Sequence, residues 1–390
     1  MSVSEWREVR LGDLVTFQRG HDLPKAEMKE GPYPVVGSNG IIGYHSKYTT
    51  EAPCITIGRS GNVGNPFLSK CKTWAHNTTL YIKEFKNTDP IYIYYLLKTL
   101  DLGYYAVGSA VPTLNRNHIH PILISVPESI EEQRSIAATL SALDDMIELN
   151  NQINKTLEEM AQAIFKSWFV DFEPFKDGEF ENSELGLIPK GWRVGKLSDV
   201  GEIIGGGTPS KSKPEYYSEI GIPWITPKDL SINKNKYISR GEIDISELGL
   251  RESSARLMPK GTVLFSSRAP IGYIAIAKNA VTTNQGFKSV VPFENISSEY
   301  IYLLLKNSIN EIESRATGST FKEISGGEMK KVPIILPPKE IIRKFNEIAT
   351  TLGKTQASLE DENNILMSIR DTLLPKLMSG EIRVPVEEVV

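Results

Sequence analysis

The sequence predicts an α+β protein: two tandem α/β lobes separated by two long antiparallel spacer helices that form a coiled coil, with a pseudo-twofold internal repeat. Two observations carry this prediction. Five strings from the first half return in the same order in the second half, and each half closes with a long amphipathic segment. Before each of these segments, short runs of β-branched and aromatic residues alternate with Gly, Pro and Asn, which indicates short strands and turns in a mostly antiparallel sheet.

The repeat covers almost the whole chain. WREVRLGDL at 6–14 returns as WRVGKLSDV at 192–200, and PIYIYYLLK at 90–98 returns as SEYIYLLLK at 298–306. The other matches are GSAVPTL with GSTFKEI, ILISVPE with PIILPPK, and IAATL with IATTL. The offset rises from 186 to between 208 and 212, so the second copy contains about two dozen extra residues in its first third. A period near 200 residues exceeds the 20–50 residues of solenoid repeats and indicates a duplicated domain pair.

These matches set the expected boundaries. The lobes are expected at 1–127 and 190–337, the spacer helices at 128–172 and 338–380, and a C-terminal tail at 381–390. The segment 173–189 has no counterpart after the second helix, and we therefore interpret it as the linker between the repeats. PIYIYYLLKTL and SEYIYLLLKNSINEI are expected to be helices embedded in the lobes.

The spacer helices carry clear start and stop signals. Ser129 and Glu132 form a capping-box pattern, Pro338 suits a helix start and Gly380 suits a C-cap, while Pro375 should kink or end the last turns. The first helix, 131–169, would be about 58 Å long, whereas a lobe of about 125 residues is only about 30 Å across. We therefore expect each helix to pair with the other; packing of each helix on its own lobe is the alternative.

Apolar residues at alternating steps of four and three predict the coiled-coil seam. Asn150, Asn154, Thr355 and Glu362 interrupt it and would fix its register at some cost in stability. The apolar seam positions are Ile136, Leu140, Leu143, Ile147, Leu157 and Ile164 in the first helix, and Ile348, Leu352, Leu359, Leu366, Ile369 and Leu373 in the second.

Charge is distributed unevenly along the chain. The net charge of −4 argues against a basic nucleic-acid binder, but residues 1–127 carry +3 and residues 183–337 carry +4, against −9 for 128–182 and −2 for 338–390. The lobes can therefore present local electropositive faces. No apolar run reaches the roughly 18–20 residues of a membrane span, and the N-terminus lacks a signal pattern, so we expect a cytoplasmic protein without a membrane partner. Cys54 and Cys71 imply no disulfide framework.

Catalytic and metal motifs are weak. Asn65-Pro66-Phe67-Leu68 lacks the second proline of an adenine methyltransferase motif, and the run Gly205–Pro209 lacks the GK[ST] ending of a phosphate-binding loop. His118 and His120 could ligate zinc from a strand, but residues 190–337 contain no His or Cys. If both lobes perform the same task, that task needs no such metal. We expect no catalytic residues, no metal and no cofactor on this chain.

Several of these strings resemble one known family, the specificity subunits of type I restriction–modification systems. The resemblance is carried by WREVRLGDLVTFQRG, GWRVGKLSDVGEIIGGGTP, the helical string from Glu131 to Pro174, and RDTLLPKLMSGEIRV. It implies a non-catalytic subunit with two target-recognition domains, each reading one half of a bipartite site in double-stranded DNA. It also implies spacer helices that set the gap and dock modification (methyltransferase) subunits, two in number, with restriction subunits joining them. S-adenosylmethionine, Mg and ATP would bind only to the partner subunits.

Residue type and loop position suggest DNA contacts in both lobes. Arg suits guanine or phosphate, and Asn, Gln and His suit adenine edges. The alternative for each residue is an internal role in a turn. The candidates are Arg59, Ser60, Asn62, His76, Asn77, Asn115, Arg116 and Asn117 in the first lobe, and Ser267, Arg268, Asn284, Gln285 and Lys322 in the second.

Two other readings stay open. The chain could be a two-headed adaptor that binds protein partners through its lobes, in which case duplex binding should not depend on salt. It could also be a self-sufficient methyltransferase, which would bind S-adenosylmethionine. Phe165, Trp168 and Phe169 at the end of the first helix either pack against the adjacent lobe or form a partner interface.

Overall fold

A computed structural model describes residues 5–108, 112–318 and 322–384. The chain divides into two compact units, one made of Met1–Glu148 with Asn364–Val390 and the other of Leu149–Asn363. Each unit contains one lobe and a stretch of each long helix. The centres of the repeated strings at 108–114 and 318–324, and the last six residues of the tail, lie outside the described residues.

The lobe of the first unit, called lobe 1, contains three sheets. Its central sheet has strand order β2-β8-β5-β6, a second has order β4-β3-β7, and β1 pairs with β9. Pairing is antiparallel except between β3 and β7. The strands are β1 (Trp6–Arg10), β2 (Val15–Arg19), β3 (Tyr33–Gly37), β4 (Gly40–His45), β5 (Cys54–Gly58), β6 (Pro66–Ser69), β7 (Trp74–Ala75), β8 (Thr79–Phe85) and β9 (Leu123–Pro127); the helices are α1 (Leu11–Leu14), α2 (Pro90–Thr99) and α3 (Arg116–Ile119), with 3-10 turns at Lys25–Glu27 and Leu102–Tyr105.

The expected embedded helix is present as α2. Asp89 caps it by accepting a hydrogen bond from the Tyr92 amide, and Pro90 occupies the first turn. Its buried residues join the core of the central sheet, where Phe17, Ile55 and Ile57 are fully buried.

The long helix α4 (Ile130–Phe169) follows β9, and a hairpin of β10 (Phe180–Ser183) and β11 (Gly186–Pro189) follows α4. Ser129 caps α4 by accepting a hydrogen bond from the Glu132 amide at 3.2 Å. The Glu132 side chain also accepts a hydrogen bond from Arg383 Nη2 at 2.7 Å, which links the start of α4 to the segment after α10. The segment 173–189 is more ordered than a plain linker, since Ile188 is buried in the core of the second unit.

The lobe of the second unit, called lobe 2, repeats this plan with additions. Its sheets have strand orders β13-β21-β18-β19-β16 and β14-β17-β15-β20, and β12 pairs with β22. The elements are β12 (Arg193–Lys196), β13 (Gly201–Gly205), β14 (Tyr217–Ser218), β15 (Ile222–Ile225), α5 (Pro227–Ile232), β16 (Tyr237–Ile238), β17 (Ile243–Ile245), α6 (Glu247–Arg251), β18 (Val263–Ser267), β19 (Ile271–Ala277), β20 (Thr282–Thr283), β21 (Lys288–Pro292), α7 (Ser298–Asn307), α8 (Ile309–Ser314), α9 (Gly326–Lys330), β22 (Pro333–Leu336) and α10 (Lys339–Met378), with 3-10 turns at Glu173–Phe175, Leu197–Asp199 and Pro214–Tyr216.

The repeated strings include equivalent paired strands in the two lobes. The strand that opens each lobe pairs antiparallel with the strand that precedes each long helix, Arg7 with Val126 in lobe 1 and Arg193 with Leu336 in lobe 2. The extra residues of the second copy form α5, β16 and α6, with β16 pairing parallel to β19. The duplication predicted from sequence is therefore confirmed at the level of strand pairing.

The two long helices pair within each unit. In the first unit, Ile136 and Leu140 share a buried cluster with Leu377 and Met378, so the start of α4 lies beside the end of α10. In the second unit, the Nδ2 of Asn150 donates to the Oδ1 of Asn363 at 3.0 Å. Each pairing is antiparallel, because early residues of one helix meet late residues of the other.

The predicted seam needs correction in α10. Ile348 and Ile369 are 38% and 41% exposed, and Thr355 is also exposed. The buried side is shifted by one residue to Ala349, Gln356, Glu360 and Asn363, three of which are polar. Because the prediction followed apolar residues, it selected the neighbouring stripe. Leu366 is buried, while Leu143, Ile147, Leu157, Ile164, Leu352, Leu359 and Leu373 are half-buried.

Pro375 does not end α10 at its own position, since the helix continues to Met378. Gly380 follows with φ +76°, the left-handed conformation expected of a C-cap glycine. At the end of α4, Phe165 and Phe169 are buried against Tyr300 of lobe 2, so these aromatic residues pack on the adjacent lobe. In the described part of the chain, no helix combines the length and apolarity that a bilayer span requires.

Candidate nucleic-acid interface

The two lobes can be aligned residue by residue through their backbone hydrogen bonds. The amide of Gly20 donates to Thr79 O in lobe 1, and the amide of Gly206 donates to Phe287 O in lobe 2. The amides of His76 and Asn284 donate to the carbonyls of β3 and β15, respectively. The amides of Leu114 and Ile324 donate to Arg59 O and Ser267 O, respectively. Residues 20, 59, 76 and 114 therefore occupy the same positions as 206, 267, 284 and 324.

The shared glycine is required by close packing. A Cβ at Gly20 would lie 2.1 Å from the His76 carbonyl oxygen, and one at Gly206 would lie 1.9 Å from the Asn284 carbonyl oxygen. The triple-glycine run of lobe 2 thus lets β13 pass against the turn before β21. This packing gives the glycines a structural reason that is independent of anion binding.

In lobe 1, a cleft of about 760 Å³ brings together four of the predicted contacts, Arg59, Asn115, Arg116 and Asn117. The guanidinium of Arg59 forms no hydrogen bond or ion pair within the described residues and is half-exposed. Arg116 is exposed, and its Nη1 donates to Phe17 O at 3.3 Å. With Arg19, which also lines it, the cleft therefore offers three arginine side chains to an anion or a base edge.

Asn115 has the structural role that was its alternative. Its side chain caps α3 by accepting a hydrogen bond from the Asn117 amide at 2.9 Å. Ser325 occupies the same position in lobe 2 and caps α9. Ser60 contributes a backbone bridge to Thr113, and Asn62 accepts a hydrogen bond from Asn65 within its own turn.

His76 and Asn77 line a second cleft of lobe 1, of about 560 Å³, together with Asp22 and Lys25. The His76 ring is hydrogen-bonded to Thr78 Oγ1 at 3.0 Å. The side-chain Nδ2 of Asn77 donates a hydrogen bond to the Asp22 carboxylate. Asp22 lines both clefts, which therefore form one continuous surface. Six of the eight lobe 1 candidates lie on this surface, and Ser60 and Asn62 do not.

Lobe 2 places its predicted arginine differently. Arg268 pairs with Glu323 at 3.2 Å, and Lys288 pairs with the same carboxylate at 3.3 Å. Arg268 occupies the position of Ser60, since both form the antiparallel bridge to the segment before the short helix. Arg268 and Lys288 of lobe 2 therefore share one carboxylate, that of Glu323, and lobe 1 has the uncharged Thr113 at the position of Glu323.

Ser267 is a wrong prediction. Its side chain is 0% exposed and donates to Gly286 O at 3.0 Å, so it is part of the core. The error arises because neighbouring strand residues point to opposite faces, and the prediction gave Ser267 and Arg268 the same face. Lys322 is exposed at the start of the last described range.

Asn284 and Gln285 line a cleft of about 490 Å³ in lobe 2. Asn284 also stabilises the turn, since its Oδ1 accepts a hydrogen bond from the Gly286 amide at 2.9 Å. Gln285 is exposed and accepts a hydrogen bond from Thr208 Oγ1. Lys228 lines the same cleft and is hydrogen-bonded to Glu242 at 2.6 Å, which raises the pKa of the lysine.

Sequence reasoning missed the segment that follows the shared glycine. Arg19 and Asp22 in lobe 1, and Thr208 and Lys211 in lobe 2, line the same clefts as the predicted residues. The signal was present, because Gly20 and Gly206 are related by the repeat offset of 186 and mark equivalent loops.

The histidine pair considered for zinc lies on and just after the short helix α3, not on a strand. His120 Nε2 accepts a hydrogen bond from the Phe17 amide at 3.1 Å and its ring stacks on Phe17. Burial, followed by the charges of Arg116 and Lys86, lowers the pKa of His120, which keeps it in the acceptor form. No cluster of three or more His, Cys, Asp or Glu residues suited to a metal occurs within the described ranges.

Comparison with known proteins assigns the family. The family described as "Type I restriction modification DNA specificity domain" matches residues 3–159 and again residues 189–367. The chain belongs to the type I restriction–modification specificity family. The two matched ranges each contain one lobe and the beginning of the long helix that follows it.

Relatives in this family span different shares of the chain. The MjaIX specificity subunit of Methanocaldococcus jannaschii is 45% identical over 193 residues, which are 49% of this chain and 44% of that protein. The HindI specificity subunit of Haemophilus influenzae is 30% identical over 331 residues, which are 70% of this chain and 71% of that protein. The crystal structure of a type I system S subunit from M. genitalium shares the fold, with a TM-score of 0.67, 17% identity and 96% of each chain covered.

Proposed function

We propose that this chain is the non-catalytic DNA-sequence specificity subunit of a type I restriction–modification complex, and that each lobe reads one half of a bipartite site in double-stranded DNA. The two long helices would set the gap between the half-sites and dock the modification subunits, expected to be two. Restriction subunits would join this complex. S-adenosylmethionine, Mg and ATP would be bound by those partners.

The observation that carries the proposal is the equivalence of the two clefts. The smaller cleft of lobe 1 and the cleft of lobe 2 lie on the same backbone frame and place different polar side chains at equivalent positions: Asp22, His76 and Asn77 in lobe 1, and Thr208, Asn284 and Gln285 in lobe 2. Arg, Asn and Gln are the side chains whose paired donors and acceptors match base edges in the major groove. A common frame with different side chains suits two readers of different half-sites.

The distribution of charge along the chain supports different roles for the lobes and for the long helices. Residues 128–182, which include α4, carry −9, whereas the stretches that contain the lobes, 1–127 and 183–337, carry +3 and +4. An acidic helix is repelled by phosphate, so in this proposal the lobes contact DNA and the helices contact protein subunits. Binding of DNA by this chain alone should accordingly be weak and should decrease steeply with salt.

Methylation mapping tests the proposal. The chain is co-expressed with the modification subunit of its own system in a methylation-free host, and the methylated adenines are mapped across the genome. The expected result is a split motif with a constant gap. A continuous motif, or the absence of any motif that depends on this chain, would contradict the proposal.

A further inference from the structure

The internal repeat provides a comparison between two reading surfaces inside one chain. Two residues after the shared glycine, lobe 1 has Asp22 and lobe 2 has Thr208. One residue after the aligned pair His76 and Asn284, lobe 1 has Asn77 and lobe 2 has Gln285. In both lobes these two side chains are hydrogen-bonded to each other, Asn77 to Asp22 and Thr208 to Gln285. The two hydrogen-bonded pairs therefore occupy equivalent positions in the two lobes but consist of different residue types.

Lobe 1 adds a charged member to this pair. Arg19 Nη2 lies 3.2 Å from Asp22 Oδ1, and the two side chains are 54% and 71% exposed. The equivalent of Arg19 in lobe 2 is Gly205, which has no side chain. Arg19 and Asp22 line the larger cleft of lobe 1, and Asp22 and Asn77 line the smaller one, so the three residues lie where the clefts join.

The hydrogen bonds leave a defined set of donors and acceptors for a ligand. Asp22 Oδ1 accepts from both Arg19 and Asn77, which holds the guanidinium and the side-chain amide in place; among the described residues Oδ2 has no hydrogen-bond donor and can accept from a ligand. The guanidinium keeps donors that match guanine O6 and N7, and the carboxylate matches the amino group at N4 of cytosine. Lobe 2 has no charge at either of these positions.

We propose that Arg19, Asp22 and Asn77 form a base-reading triad that selects a G·C pair in the half-site of lobe 1, with Arg19 on guanine and Asp22 on cytosine. This inference rests on the proposed function and adds the base pair that one surface reads. The pair Thr208–Gln285 is the uncharged counterpart and selects a different base pair at the matching place in the other half-site.

The test gives lobe 1 the residues of lobe 2 at these positions. The variant R19G/D22T/N77Q, the single variant D22N and the unaltered chain are each co-expressed with the modification subunit, and methylated sites are mapped. In the triple variant, preference for one G·C pair in one half-site should decrease by at least about tenfold, while the other half-site and the gap stay unchanged. D22N, which keeps the size of the side chain, should relax the same base pair.

The matched control is E51A/K72A, which removes an exposed ion pair of lobe 1, 3.0 Å between Glu51 and Lys72, outside both clefts. It should leave both half-sites unchanged. Thermal unfolding of each variant identifies any that fails to fold, and D22N then decides the question. An unchanged motif in the folded variants, or an equal loss at all sites, would overturn the triad alone. If the unaltered chain directs no split motif, the proposed function and the triad are overturned together.

Discussion

At the scale of single residues, Glu158 is a largely buried carboxylate that binds two lysines of the second unit. It lies on α4, with Lys306 Nζ at 2.6 Å and Lys236 Nζ at 3.3 Å. Burial disfavours its ionisation, but the charge of Lys236 and the hydrogen bond and charge of Lys306 outweigh burial and lower the pKa of Glu158 to about 2. Since the pKa is lower in the folded than in the unfolded chain, the ionised carboxylate stabilises the fold above about pH 4.5, and this stabilisation is lost as the pH falls toward 2.

We expect Glu158→Gln to lower the free energy of unfolding of the second unit by about 3 kcal/mol at pH 7 and by about half as much at pH 3. Two lysines lose their counter-charge at neutral pH, whereas at pH 3 the carboxyl of the unfolded chain is already largely protonated, so the unaltered carboxylate stabilises the fold by less. Urea unfolding at the two pH values measures the difference. Glu159→Gln, which changes an exposed neighbour, should shift stability by less than about 0.5 kcal/mol at both. An equal loss at pH 7 and pH 3 would refute this explanation.

Arg59 is the residue of lobe 1 best placed to contact phosphate. Arg59→Ala should weaken binding of duplex DNA and make the log–log dependence of affinity on salt shallower by about 1, because one phosphate contact is removed. Fluorescence anisotropy at several salt concentrations gives this slope. Lys83→Ala, an exposed cation of β8 outside the clefts, serves as the control. If both variants keep the original slope, Arg59 does not contact phosphate.

Residue type and loop position were enough to find some of the surface and not the rest. Arg59, Asn77 and Gln285 were identified because arginine and amide side chains next to strand ends are exposed in this fold. Ser267 was misjudged because its burial depends on strand phase, and the helix-capping role of Asn115 depends on where α3 starts; a single sequence specifies both only loosely. Arg19 and Asp22 were missed because their relation to Asn77 exists only after β2 and β8 pair.

At the scale of elements, the long helices are joined by a seam that is polar in its middle. Asn150 and Asn363 are buried and hydrogen-bonded to each other, and Asn363 Nδ2 also donates to Asn151 Oδ1 at 2.9 Å. Glu360 accepts the amides of Lys236 and Tyr237, which attaches β16 of lobe 2 to α10. Burial nevertheless raises the pKa of Glu360 to about 7, against the effect of these two donors.

Asn363→Ala should lower the free energy of unfolding by about 1–3 kcal/mol, because the buried side-chain amide of Asn150 loses one of its two acceptors and keeps only Glu362 Oε2. The double variant N150L/N363L should recover most of this loss, since it replaces both polar groups by apolar ones. Denaturant midpoints of N150L, N363L and the double variant give the coupling. Additive losses, with no recovery, would show that this contact does not stabilise the seam.

The existence and length of both helices were predictable from periodicity, but the register of α10 was not. Apolar spacing marked Ile348 and Ile369, whereas the buried stripe carries Gln356, Glu360 and Asn363. Their hydrogen-bond partners lie on α4 and at β16. From the sequence alone, a polar residue whose partner is not known is predicted to be solvent-exposed. The register of a helix whose buried stripe is polar therefore cannot be predicted from the spacing of its hydrophobic residues.

At the scale of the whole molecule, the chain is one plan used twice. Each lobe begins and ends on a paired two-stranded ribbon, β1 with β9 and β12 with β22, and each ribbon leads directly into a 40-residue helix. The repeated strings predicted this plan because they encode the ribbons and the helix starts. The extra strand and helices of lobe 2 could be located as an insertion but not assigned a structure, since they have no second copy to be compared with.

The most direct test of the account exchanges one lobe for the other. Residues 193–336 are replaced by residues 7–126, which joins equivalent positions of the two ribbons, and the methylation motif of the chimera is mapped beside that of the unaltered chain. If each lobe reads its own half-site, one half of the motif should change to the sequence read by lobe 1 while the other half stays as it was. A folded chimera that retains the original motif, or that alters both halves, would contradict the claim that the lobes are independent readers.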